Sequence, residues 1–351
     1  MRGEFDVANI FPRQLADIGT PFYYGIVYSI FGPSVIIARV INSVLSSISV
    51  IFIYRIAKFT ISDRVARVAA IMASLFSLII FHVGTNAKEP LMLFVLLLAV
   101  YQVVMIKFEH KVGFYRMFIF GIAIFGLFCL RTALGLICLP LLVIYLFLGE
   151  VPGQRRILYF GLSLVCVAIL AFSFSSIGSL LEIQNTTLSY IEEGGGRSLA
   201  GIASKNVLAK LLSGPLLVVL SIPAPFPSMV KTNIRFFDQA EQWYHIGGVL
   251  IWNSLSFFSI VGIYNAVRLH WKNTFCIYSI PIAYFLALGV SGYATSIRFQ
   301  IVSMPFMLIL AASGLVTQNK RIIIHWCIFL IGIASAIIGW NYVKLAGRGL
   351  I

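Results

Sequence analysis

From about Ser34 onward the chain alternates long apolar blocks with short polar gaps. The blocks run to about 17–25 residues, which at about 1.5 Å per residue spans a hydrocarbon core of about 30 Å. Such blocks predict spanning α-helices rather than isolated strands, because in lipid a helix satisfies its backbone hydrogen bonds within a single segment. Helices are predicted near 34–57, 65–84, 90–107, 114–130, 133–149, 157–178, 246–267, 274–291, 300–317 and 321–341. The expected fold class is an all-α integral membrane protein: a polytopic helical bundle of about ten transmembrane helices with one large extracytoplasmic loop region.

The polar gaps orient these helices. Arg55, Lys58, Arg64 and Arg67 follow the first block at once, and short loops rich in Lys and Arg stay in the cytoplasm. The remaining inner loops then hold Lys107, Lys111 and Arg116; Arg155 and Arg156; Arg268 and Lys272; and Lys320 and Arg321, whereas the short outer turns hold Lys88, Arg131 and Arg298 singly. The expected division is an extracytoplasmic segment 1–33, an N-terminal transmembrane bundle 34–178, an extracytoplasmic loop 179–245 and a C-terminal transmembrane bundle 246–351. Residues 1–33 read as polar, with no apolar segment to export them, and Arg2 and Arg13 resist translocation. A further span upstream of Met1 is therefore expected. Within the long loop, Leu211 to Val230 is apolar but broken by Gly214, Pro215, Pro223, Pro225 and Pro227, which suits a helix lying at the membrane interface.

Composition removes the soluble alternatives. Of the 351 residues 60% are hydrophobic and 11% charged, too few to cover a water-soluble surface. The mean hydropathy is +0.97. The net charge of +14 could be mistaken for a nucleic-acid footprint, but the cations lie in the gaps between blocks rather than along one face, so no nucleic-acid partner is expected. Cys129, Cys138, Cys166, Cys276 and Cys327 all lie inside apolar blocks without metal-ligand spacing and read as small buried hydrophobes. No residue is assigned as a metal ligand. P-loop, Rossmann, H-E-x-x-H and G-x-S-x-G patterns are absent from the sequence.

Charges at membrane depth are costly and become candidates for function. Lys88 and Glu89 precede Pro90 at the start of a helix, where an acid and a proline also serve simply as start signals. Arg131 interrupts the apolar run from Phe114 to Gly149 at an outer turn, against the positive-inside bias, and its guanidinium fork suits phosphate oxygens. Arg298 stands before a helix containing Pro305, where a snorkelling arginine is the plain alternative. Arg39 lies inside the first helix, at a depth that calls for a protein or cavity neighbour, and Asn42, three residues on, is expected on its face. Outer cations at one depth imply an anionic, membrane-borne ligand, with a lipid-linked phosphate or diphosphate as the chemical class. Acids are few, 12 in all, and a catalytic carboxylate has a short list that includes Glu4, Asp6 and Glu89.

The stretch from Gly19 to about Gln102 resembles the membrane glycosyltransferases of the GT-C class, in particular the bacterial family related to protein O-mannosyltransferases and aminoarabinose transferases. The matching residues are Pro21-Phe-Tyr-Tyr24, Ile30-Phe-Gly32, Ala38-Arg39-Val-Ile-Asn42, Tyr54-Arg55-Ile-Ala57, Arg64-Val-Ala-Arg-Val-Ala-Ala70 and Thr85-Asn-Ala-Lys88-Glu89, with Arg298-Phe-Gln-Ile-Val-Ser-Met-Pro305 near the other end. The resemblance implies transfer of a sugar from a polyprenyl-phosphate carrier to a glycan, lipid or protein acceptor. It places the reaction on the outer face of a bacterial inner (plasma) membrane, with the active site in the first outer loop. The family's acidic base would fall before Met1, which leaves Asp6 and Glu4 as the candidates within this chain. Arg298 and Arg131 would hold the leaving phosphate, Lys88 would assist, and Glu89 would position Lys88 or a divalent metal; the cofactor is otherwise left open. The competing functions are a polysaccharide polymerase or ligase of the O-antigen type, separated by its product, and a transporter of lipid-linked glycans, for which the sequence lacks matched broken helices.

Overall fold

The computed structural model describes residues 18–84, 88–109, 114–148, 222–223, 236–290 and 297–346, the side chains of 236–245, 289–290, 297–298 and 344 excepted. The described residues form helices and no strands. In chain order these are α1 (Gly19–Phe31), α2 (Val35–Thr60), α3 (Asp63–Leu75), α4 (Ser77–Gly84), α5 (Glu89–Glu109), α6 (Phe114–Leu130), α7 (Thr132–Phe147), α8 (Phe236–Val290), α9 (Ile297–Gln300), α10 (Met304–Val316) and α11 (Lys320–Ala346). The predicted span 157–178 and residues 1–17 lie outside the described residues, as does most of the loop 179–245 with its interfacial helix.

Four of these helices, α2, α5, α8 over Ile246–Leu288 and α11, are long and apolar enough to cross a membrane, and α3 with α4 makes a fifth if the bent pair is one span. That is the span count of the described residues, against about ten expected from the blocks. Two departures come from the sequence patterns. The stretch 1–33, read as polar throughout, contains α1, whose 13 residues reach only about 20 Å. Helical backbone also begins at Phe236, ten residues before the predicted start at 246.

The chain forms two compact units that divide between Cys138 and Leu139, inside α7. In the first, α5 is the central element: Met92, Leu96, Leu97, Val100, Val103 and Val104 are all buried. It packs against α2 and α6, and α2 packs also against α3. Local signals set the boundaries. Ser62 caps α3 by accepting from the Val65 amide at 3.3 Å, and Gly32, at φ 79, closes α1 before the chain turns into α2. The predicted helix 65–84 is two pieces bent by 47° around Phe76.

In the second unit the predicted pair 246–267 and 274–291 corresponds to the two arms of α8, which meet at His270, whose backbone (φ −142, ψ 35) is not helical. At this break the Thr274 hydroxyl lies 2.8 Å from the His270 carbonyl oxygen and 3.0 Å from that of Ala266. Helix α10 is buried on every side from Met304 to Gly314. It lies directly against α8: a Cβ added at Gly262 would stand 1.9 Å from the Leu310 carbonyl oxygen, and one at Gly314 would stand 2.2 Å from that of Phe258. Small residues allow this backbone approach, and Ser259 adds a 3.0 Å hydrogen bond to the Met307 carbonyl across it. Helix α11 is the opposite case, with Ile331 69% and Ile338 70% exposed. Large apolar side chains left uncovered in this way are at home against lipid tails, not water. Cys138 and Cys276 are buried as expected, Cys129 is half-buried, Cys327 faces outward on α11, and Cys166 lies outside the described residues.

The glycine contacts yield a test. Gly262→Ala should destabilise the protein by about 1–3 kcal/mol through overpacking against Leu310. Gly339→Ala, where nothing stands within 4 Å, should leave the thermal unfolding midpoint in detergent unchanged. Equal midpoints for both variants would show that α8 and α10 do not need the close approach.

Candidate functional site

At one end of the first unit the starts of α1, α2 and α5 meet the end of α6. Glu89 opens α5 with Pro90 behind it, so the helix-start pattern does describe the local structure. The same carboxylate is 1% exposed, which a start signal alone does not require, since a solvated acid would complement the helix dipole as well. Burying it costs free energy unless charge and hydrogen bonds compensate. Its neighbour Lys88 is half-buried and donates from Nζ to the Leu130 carbonyl at 3.5 Å, the outer limit of a hydrogen bond.

Leu130 directly precedes Arg131, so the contact brings the two sequence-predicted cations to one corner. Arg131 is the single non-helical residue between α6 and α7. Its amide donates to the Leu127 carbonyl at 2.8 Å, and its own carbonyl accepts from Leu134 at 3.0 Å, so the turn is held from both sides. Its half-buried side chain carries a planar fork where Lys88 carries a point charge.

Helix α1 closes this end through a network the sequence reading did not single out as a site. Asn42 of α2 is fully buried; Tyr23 donates its hydroxyl to Asn42 Oδ1 at 2.9 Å, and Asn42 Nδ2 donates to the Tyr24 hydroxyl oxygen at 3.3 Å. Burial first, and Tyr24 second, push the Tyr23 phenol up to about 12, so it stays a donor across the neutral range. Burial above all raises the Tyr24 phenol above its ordinary value, against the opposing hydrogen bond from Asn42. Gly19 permits the docking, for a Cβ there would meet the Cys129 carbonyl oxygen at 2.7 Å. The available signals were the tandem tyrosines and a lone asparagine in an apolar helix.

Arg39 does not share the fate of Asn42. It is exposed, one face away. Three residues along a helix leave a rotation of about 60°, enough at the rim of a packed face to send one side chain in and the other out. Arg39 also lies only about 7 Å along the axis from the Ser34 cap, within reach of the helix end for a long side chain. Arg298 belongs to the second unit, in the short helix α9, and its side chain lies outside the described residues. Asp6 and Glu4 also lie outside them. The structure thus brings together Lys88, Glu89 and Arg131, adds Tyr23, Tyr24 and Asn42, and leaves Arg39 on the outside.

Two half-buried cations and a buried carboxylate thus meet at one end of the first unit. Comparisons with known proteins bear on its class. Residues 18–176 match the family described as dolichyl-phosphate-mannose-protein mannosyltransferase, a stretch that contains Lys88, Glu89 and Arg131 and stops short of Arg298. Among solved structures the chain is similar to ArnT from Cupriavidus metallidurans bound to undecaprenyl phosphate, at 16% identity and a TM-score of 0.50 over 92% of this chain and 58% of that one. It is also similar to the archaeal oligosaccharyltransferase AglB from Archaeoglobus fulgidus in complex with an inhibitory peptide and a dolichol-phosphate, at 16% identity and a TM-score of 0.49 over 95% of this chain and 48% of that one. The chain therefore spans about half the length of the structures it resembles. No curated protein matches it by sequence. The family match covers the stretch from Gly19 onward that the sequence singled out, and the likeness to ArnT is one of fold. The chain is an integral, multi-pass membrane protein.

The tyrosine network can be tested by itself. Asn42→Leu removes both hydrogen bonds and should cost about 1–3 kcal/mol. Hydrogen exchange over Gly19–Phe31 should rise in that variant while α5 stays protected; unchanged exchange in α1 would mean that Asn42 does not hold it.

Proposed function

We propose that the protein transfers a sugar from a polyprenyl-phosphate-linked donor to a glycan, lipid or protein acceptor at the extracytoplasmic face of a bacterial inner membrane, in cell-envelope glycan or glycoconjugate assembly. The observation that carries this is the corner formed by Lys88, Leu130 and Arg131 beside buried Glu89. A lipid phosphate suits it chemically: the fork of Arg131 takes two oxygens, Lys88 adds a charge, and the tail remains in the bilayer. The undecaprenyl phosphate in the ArnT structure supplies the same ligand class on a similar fold.

In the reaction a carboxylate accepts the proton of the acceptor hydroxyl as that oxygen attacks the anomeric carbon. The bond from that carbon to the phosphate oxygen breaks, and the phosphate departs with the electron pair. Arg131 and Lys88 stabilise the charge that develops on it. Asp6 and Glu4 are the candidates for the base, and Glu89 holds Lys88 in position. Among the described residues no group of three His, Cys, Asp or Glu side chains gathers to hold a metal ion.

Lys88→Met and Arg131→Gln should each weaken undecaprenyl phosphate binding by about tenfold or more, the worth of one charge-assisted hydrogen bond. Arg298→Ala should abolish transfer while leaving membrane insertion intact. The readouts are lipid binding by the purified protein and the size of the product formed by native membranes. Addition of one sugar supports the proposal; joining of whole repeat units would assign a polymerase. Unchanged binding in both variants would remove the corner from the site.

A further inference from the structure

The opposite end of the first unit carries a second charged constellation, which the proposed reaction does not use. Arg55 and Lys58 end α2, and Arg64 and Arg67 begin α3. One acid, Asp63, stands among the four. Its carboxylate accepts from the Tyr54 hydroxyl at 2.7 Å, pairs with Arg67, and lies 3.7 Å from Lys58 Nζ. Arg55 donates to the Tyr101 hydroxyl of α5 at 2.7 Å, a neutral partner that orients the guanidinium without offsetting its charge. Arg64 is exposed and makes no ion pair among the described residues.

The side chains leading to these cations follow one pattern on both helices. Along α2 the exposed positions Val44, Ser47, Ile51, Arg55 and Lys58 recur at helical spacing, and along α3 the exposed positions are Arg64, Arg67, Ile71, Ser74 and Leu75. Ile51, 53% exposed, lies one turn inward from Arg55; Ile71, 58% exposed, lies one turn inward from Arg67. Each stripe is thus apolar toward the middle of the bundle and doubly cationic at its end. The shared carboxylate of Asp63 brings the two cationic ends together.

We infer that this surface is a binding site for an anionic phospholipid, its headgroup phosphate held by Arg55, Lys58, Arg64 and Arg67 and its acyl chains lying along Ile51, Ile71 and Leu75. Four cations against one carboxylate leave an uncompensated positive field, and donors on Arg64 and Arg67 remain for phosphate oxygens. Apolar stripes directly beneath the cations select an amphiphile over a soluble anion, because both halves of the ligand find complementary surface at once. This site is independent of the corner at Lys88 and does not rest on the proposed reaction.

The test uses the full chain purified in a neutral detergent, with phosphatidylglycerol and phosphatidylcholine as probes and bound lipid counted by native mass spectrometry. Phosphatidylglycerol should be retained preferentially. Arg64→Gln, which breaks no ion pair, should weaken that retention by about fivefold, the contribution of one basic residue near an anionic surface. Arg55→Gln combined with Arg64→Gln should remove most of the preference, whereas Arg268→Gln with Lys272→Gln in the second unit should preserve it. Glycerol phosphate should not compete. Equal retention of the two lipids, an unchanged preference in the Arg55 and Arg64 double variant, or full competition by glycerol phosphate would each overturn the assignment.

Discussion

Hydrocarbon offers no partner for a peptide group, and the architecture follows from that constraint. Each helix break among the described spans carries its own repair. At His270 the Thr274 hydroxyl reaches two carbonyls. At Phe76 the carbonyl accepts from the amides of Ile79 and Ile80, so α4 restarts at once. At Arg131 the turn occupies one residue, with its amide and carbonyl both engaged. Bends therefore occur where the backbone can be re-satisfied within a turn.

The first unit is electrically lopsided for the same reason. Its basic end is exposed and laced with pairs, Asp63 with Arg67 and Glu109 with Arg116. Exposed pairs of this kind contribute little to stability, about 0–1 kcal/mol, and serve better to place charge at a membrane surface. The other end buries a carboxylate beside two cations, an arrangement that costs desolvation and earns no obvious structural return. That contrast in charge and burial underlies both proposals: lipid headgroups at the exposed end, a phosphate at the buried one.

Packing in the second unit is governed by the lack of hydrophobic drive between helices in lipid. Gly262 and Gly314 bring the backbones of α8 and α10 into contact, and Ser259, Asn265 and Trp326 add hydrogen bonds to the Met307 carbonyl, the Thr317 hydroxyl and the Ser254 carbonyl. A helix as apolar as α10 can sit at the centre because its neighbours, rather than lipid, supply its contacts. Helix α11, of similar composition, faces outward.

Helix positions were largely legible in the sequence: 114–130 is α6 to the residue, and the break between the arms of α8 falls at His270 within the polar gap. Span and charge alternation are local properties, written in the residues of each block, and they determine an all-helical membrane protein with cations at the helix ends. Helix α1 escaped because its apolar run is too short to register as a span. The meeting of side chains was decided by tertiary structure. Sequence spacing put Arg39 and Asn42 on one face, yet packing buried the asparagine and left the arginine out. Lys88 and Arg131 stand 43 positions apart, and only the docking of α6 on α5 sets the lysine against the turn that carries the arginine. Which helices touch, and by what rotation, depends on small residues and single hydrogen bonds between distant segments, and no local pattern encodes it.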